Sequence, residues 1–225
     1  MSCSTITVPD VPFDPYDAAT HAIGRARQLL HEARFRRVPA TERIPYSVRS
    51  DMCRLSVVMA VAALDTYMHR LIVERVYTHE QLPPVLSKLD VPFEHVLAWA
   101  DEAKVAARSE PHSSRPRVAV KRQLRDRLLR ETFQNFEGVG RAMRMAGLAR
   151  NWEAIGQQLD PPMAPEEIRA RLNSVVMRRN QVVHEGDYRR LERPQDAGRN
   201  SMTPGQARSD IDFVASLIDA IHEII

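Results

Sequence analysis

The run Arg178-Arg179-Asn180-Gln181-Val182-Val183-His184-Glu185-Gly186-Asp187 sets a guanidinium, a carboxamide and an imidazole close together in the chain. An imidazole can move a proton near neutral pH. A guanidinium can hold a charged phosphate through two parallel hydrogen bonds. The pair is a minimal kit for phosphodiester chemistry. On a helix, Asn180 and His184 share a face, because residues four apart are neighbours. Arg179 and His184, five apart, differ in direction by about 140°. Three routes can bring them together: the arginine reaches round, the helix loosens before Gly186, or two chains pack these helices so that Arg179 of one meets His184 of the other.

Other chemistries are poorly served. His-Glu pairs stand at 31–32, 79–80, 184–185 and 222–223, but none is followed by two residues and a second histidine. The metalloprotease spacing is therefore missing, as are paired cysteines and a phosphate-cradling glycine loop. No metal and no cofactor is expected. Cys3 and Cys53 are far apart and read as free thiols.

The elements that must position the motif read as helices throughout, so the expected fold class is all-α. Residues 1–14 are extended and punctuated by Pro9 and Pro12. Residues 15–225 are read as one domain, a size that can bury roughly 70% of its unfolded surface. Helices are expected over 16–37, 47–78, 93–107, 118–136, 138–148, 152–159, 165–186 and 203–225. The second is the structural centre: Leu55, Val57, Val58, Met59, Val61, Ala62, Ala63 and Leu64 are apolar almost all round, the mark of a buried helix. Asp65 interrupts that surface and must find a partner. The motif helix starts at Pro165, with Glu166 and Glu167 at its positive end, and Gly186 stops it. Thr203 to Gln206 is a capping box.

Net charge is only +3, yet 29 of the 32 basic residues are arginine. They cluster over 115–130, where Leu124, Leu128 and Leu129 are expected to face inward, and again over 169–193. Such stripes suit a polyanion, although a solvated helix face is the plainer reading. Arg122, Arg125 and Arg178 are the candidate contacts to such a polyanion. No signal peptide is recognisable and no apolar run reaches membrane-spanning length without a charge. The expectation is a cytoplasmic protein without membrane association.

Arg-(four residues)-His at the end of a helix, with Asn directly after the Arg, resembles the signature of HEPN-domain proteins. The string from Arg179 to Asp187 is similar to the RiboL-PSP-like branch, as are the buried helix Ala60–Tyr67, the polar loop after Gly186 and the closing Thr203–Ile225 helix. The resemblance covers about 48–225. It implies an all-α HEPN-like bundle with a long central helix and additional short helices. It also implies a homodimer and often a metal-independent endoribonuclease, in toxin–antitoxin, phage-defence or RNA-processing settings with an antitoxin or defence-complex partner. Carried over by position, Arg179 and His184 are the catalytic pair and Asn180 a polar helper. Asp65, Tyr67 and Asp187 are supporting residues, Asp65 steadying Arg179 or Tyr67, and Asp187 read as a solvent-facing helix-end residue. Some relatives carry Tyr two residues after the His; here that position is Gly186. Members without activity exist, so a non-catalytic RNA-binding or protein-interaction module is the alternative.

Plainer readings stand beside these. His184 can serve as a C-terminal cation favoured by the helix dipole, worth about 0.3–1 kcal/mol. Arg179 can pair structurally with Asp65. Tyr67, Trp99 and Trp152 read as core, and His69 as a packed or paired histidine.

Overall fold

Between Pro45 and Val76 the chain has no glycine or proline, and it folds there as one unbroken helix of 30 residues, about 45 Å long. The computed structural model describes residues 14–35, 45–76, 105, 124–188 and 198–225. Among the described residues the main helices are, in chain order, α1 (Pro15–Phe35), α2 (Tyr46–Arg75), α3 (Phe136–Met145), α4 (Trp152–Gln158), α5 (Pro165–Glu185) and α6 (Pro204–Glu223). Among the described residues there is no strand, only an isolated bridge between Tyr188 and Arg199.

Polar contacts fix the helix directions. The Arg49 side chain donates to the Ala33 carbonyl (2.7 Å), so α1 and α2 form an antiparallel hairpin. Tyr16 donates to Asp219 (3.0 Å) and Arg27 to Asp212 (2.9 Å), so α6 runs against α1. Arg171 pairs with Asp210 (2.7 Å), which sets α5 against α6. The long helices thus alternate up and down, and their apolar stripes meet in one core. Val57, Val61, Leu64 and Met68 of α2 face Ile168, Leu172 and Val175 of α5 and Ile211, Val214 and Ile218 of α6 across that core, all nearly or fully buried. α2 is long and apolar enough to cross a membrane by composition, but 61% of its most apolar window is buried inside the bundle.

Two expectations need correction. The basic helix was to reach Phe136, yet helix runs only over 124–128 where the description resumes, and a turn follows. Leu129, expected inward, is 71% exposed, whereas Leu128 is fully buried. The cause is local. Asn135 accepts the Gly138 N–H (2.7 Å) and so caps a new helix, α3. Asp65 of α2 meanwhile draws out the preceding segment by accepting the Phe133 N–H (2.6 Å) and the Gln134 amide (3.2 Å). The expected helix 93–107 and Trp99 lie outside the described residues, save Val105, which is helical.

Candidate active site

The motif occupies the last two turns of α5. Gly186 and Asp187 both take left-handed backbone, each with φ of 61°. The Gly186 N–H returns to the Gln181 carbonyl, a six-to-one closure that satisfies a helix-end carbonyl, and the Asp187 N–H reaches the same oxygen (2.9 Å). Glycine adopts that conformation freely; aspartate does so only with compensation. Asp187 finds it in burial among donors. Its side chain is fully buried, and its carboxylate accepts from Arg54 (2.6 Å) and from the Asn200 amide (3.1 Å). Its carbonyl accepts the Asn200 N–H (2.8 Å). The expectation of a solvent-facing Asp187 is therefore overturned. The carboxylate is the hub that clamps the end of α5 to α2.

Arg54, 5% exposed, is the other half of the clamp and was missed in the sequence. Beyond Asp187 it donates to the Asn200 carbonyl (2.6 Å) and to the Ser50 hydroxyl, and it lies 3.6 Å from Asp51. A signal was available. An arginine one residue before a buried apolar run must carry a carboxylate with it, and the run had been counted from Leu55. Arg178, proposed for RNA, is turned into this network. It bonds the Ser201 carbonyl and stands 3.8 Å from Asp187.

Asp65 does not reach Arg179 or the Tyr67 hydroxyl. Its oxygens are taken by the 133–134 segment, and His69 lies 3.7 Å away. The alternative of a structural Arg179–Asp65 pair is corrected by the same bonds. Tyr67 is core, as one reading had it, with a buried hydroxyl that has no partner among the described residues. Burial pushes its phenol far above its usual value, helped by the negative charge of Asp14. That places it toward the α1 start and α6 end, roughly 20 Å along α2 from Arg54. Arg125 is exposed, and Arg122 lies outside the described residues.

The four arginines of α5 divide sharply. Arg169 pairs with Glu137 (2.8 Å), Arg171 with Asp210 (2.7 Å) and Arg178 with Asp187. Arg179 bonds only the neutral side-chain oxygen of Asn180 (2.9 Å) among the described residues. By helical spacing it continues the core-facing row Leu172–Val175, one turn beyond where the core ends, and it is half-buried. His184 is exposed, with no side-chain partner among the described residues. The structure therefore puts both groups on the terminal turns of one helix but on different faces of it. Asn180 shares the His184 face and borders a groove of about 400 Å³ between α5 and the start of α3. Apolar side chains flank the same end of the bundle: Leu55 on α2 and Val183 on α5 are 50% and 47% exposed. Among the described residues, no three His, Cys, Asp or Glu side chains converge as a metal site would need.

The arrangement offers a cation that has no carboxylate among the described residues, and an exposed imidazole, on a helix end clamped to α2, which suits an anionic ester. The family model described as RiboL-PSP-HEPN matches residues 36–225. No curated protein and no solved structure matches the chain.

Proposed function

The chain belongs to the RiboL-PSP-HEPN family, and from that premise we propose that it is a metal-independent endoribonuclease working as a homodimer. The observation that carries the reading is the exception among the α5 arginines. Arg169, Arg171 and Arg178 each lie against a carboxylate, and among the described residues Arg179 has none, which leaves its charge for a ligand.

The reaction uses the substrate's own nucleophile. The 2′-oxygen attacks the adjacent phosphorus, the P–O5′ bond breaks, and the products are a 2′,3′-cyclic phosphate and a 5′-hydroxyl. The His184 imidazole takes the proton that leaves the 2′-hydroxyl, and solvent supplies the one that the departing 5′-oxygen takes up. Arg179 binds the non-bridging oxygens and stabilises charge that grows on them. In one chain the two side chains diverge around α5. A second copy, seated on the apolar margin of Leu55 and Val183, brings Arg179 of one chain opposite His184 of the other. An inhibitory or defence-complex partner would act by covering this surface.

The test is cleavage of mixed RNA by the wild type in the presence of EDTA, with His184→Ala and Arg179→Ala alongside. Each variant should fall by about 10²–10⁴ while keeping its helical spectrum. Activity lost on chelation would overturn the mechanism. Binding without scission would favour a non-catalytic RNA-binding module. DNA, which has no 2′-hydroxyl, should stay intact.

A further inference from the structure

The groove beside α5 is walled by side-chain amides. Asn173 and Asn180 come from α5 and Asn135 from the start of α3, and Gln181 adds a fourth. Three of the four are oriented by the fold. Asn135 accepts the Gly138 N–H (2.7 Å), Asn173 accepts the Phe136 N–H (3.3 Å), and Asn180 accepts from Arg179 (2.9 Å). Each bond needs an oxygen, because its donor is an N–H. Each amide therefore commits its oxygen to the protein and leaves its NH₂ group without a partner among the described residues. Uncommitted donors line one cleft, with Met177 offering a flexible apolar surface between them.

Two carboxylates, Glu137 and Glu185, also line it. Glu137 gives one oxygen to Arg150 (3.1 Å) and Arg169 (2.8 Å), and its other oxygen carries no hydrogen bond among the described residues. Acids here repel a phosphate. Amide donors beside a carboxylate acceptor instead match an edge that carries acceptors and donors together. Guanine has that pattern: O6 and N7 accept, while its N1–H and N2 amine donate. Single-stranded RNA is recognised on base edges of this kind.

We propose that this groove is a nucleobase subsite that takes a guanine near the scissile linkage. The proposal rests on the ribonuclease reading for its substrate, but its evidence is separate. Asn180 ties the two sites together: its amide oxygen accepts from Arg179, and the residue borders the groove. His184 lies one turn beyond, about 6 Å along the axis, so the recognised base precedes or follows the cut by one or two nucleotides.

The test uses substitutions that spare the bonds that hold the fold. Asn135→Ser keeps a capping oxygen and removes the amide. Asn173→Asp keeps the oxygen that takes the Phe136 N–H and replaces the donor with an acceptor. On the His184→Ala background, RNA hexamers that differ in one base, guanine or adenine, are titrated by fluorescence anisotropy. The guanine hexamer should bind at least fivefold more tightly, and either substitution should bring the ratio within twofold. The added charge of Asn173→Asp weakens both hexamers alike, so the ratio is the readout. Equal binding of the two hexamers, or a ratio unchanged by both substitutions, overturns the subsite. A wild type that fails to cut RNA while the ratio behaves as expected overturns the ribonuclease reading and leaves the subsite standing. Cutting with equal hexamer binding does the reverse.

Discussion

Arg54 and Asp187 show what burial does to a charge pair. Their mutual distance of 2.6 Å, and donors on every remaining oxygen, satisfy both ions inside the bundle. Removing one partner strands the other, which typically costs about 3–5 kcal/mol. Arg54→Ala should lose that much in denaturant unfolding, and Arg54→Lys should recover little of it, because an ammonium cannot span Asp187, Asn200 and Ser50 at once. A loss under about 1 kcal/mol would mean that the pair is hydrated in solution. Tyr67 is the opposite case, a buried hydroxyl without a partner among the described residues. Tyr67→Phe should raise stability by about 1 kcal/mol at neutral pH. The pH dependence follows from its raised phenol. The unfolded chain releases this proton first, near the ordinary tyrosine value of about 10. Stability therefore falls as pH rises beyond that point, and the phenylalanine variant should show a shallower alkaline limb in a pH series of melting curves.

Asp65 marks the limit of what was readable here. That it needed a partner was plain from its place in an apolar helix. Which partner it would take was not, since the backbone N–H of Phe133 is a group every residue carries. For Asp187, exposure was inferred from polarity and position after a helix-stopping glycine. The pairing across 133 residues that buries it leaves no local trace.

Among the elements, α2 and α5 through α6 were legible because apolar period, proline starts and the Thr203 capping box agree with the packing. The basic segment was not. Its helical propensity is continuous through 136, and only the tertiary pull of Asp65 together with the Asn135 cap breaks it into 124–128 and α3. α4 depends on a close approach. A Cβ on Gly156 would stand 2.0 Å from the Met163 carbonyl oxygen. Gly156→Ala should cost about 3 kcal/mol, near the upper end of overpacking effects. The control is Gly24 in mid-α1, where a Cβ meets nothing within 4 Å. There alanine should add about 0.5–1 kcal/mol of stability. Both are read from thermal melts, and similar shifts in the two would contradict the packing at α4.

The assembled molecule presents one arginine and one histidine on diverging faces of α5, and the proposed dimer resolves the divergence. Mixing Arg179→Ala with His184→Ala chains tests it directly. A two-fold dimer has two equivalent sites. If each site draws its arginine from one subunit and its histidine from the other, a heterodimer of the two inactive chains keeps one intact site. Equal mixing after subunit exchange should then restore about a quarter of wild-type cleavage. No restoration would place both groups of a working site in the same chain.

α2 grips both walls of the cleft. Through Asp65 it holds the segment that leads to Asn135, and through Arg54 it holds the turn that follows His184. Those two grips are eleven residues apart, as are Asn173 and His184 on the antiparallel α5. The rise is about 16 Å in each case. The bundle thus behaves as a gauge. Its calibration lies in a rod of backbone hydrogen bonds away from the reacting atoms, and a single residue inserted between Ala60 and Leu64 would turn one jaw by about 100° against the other.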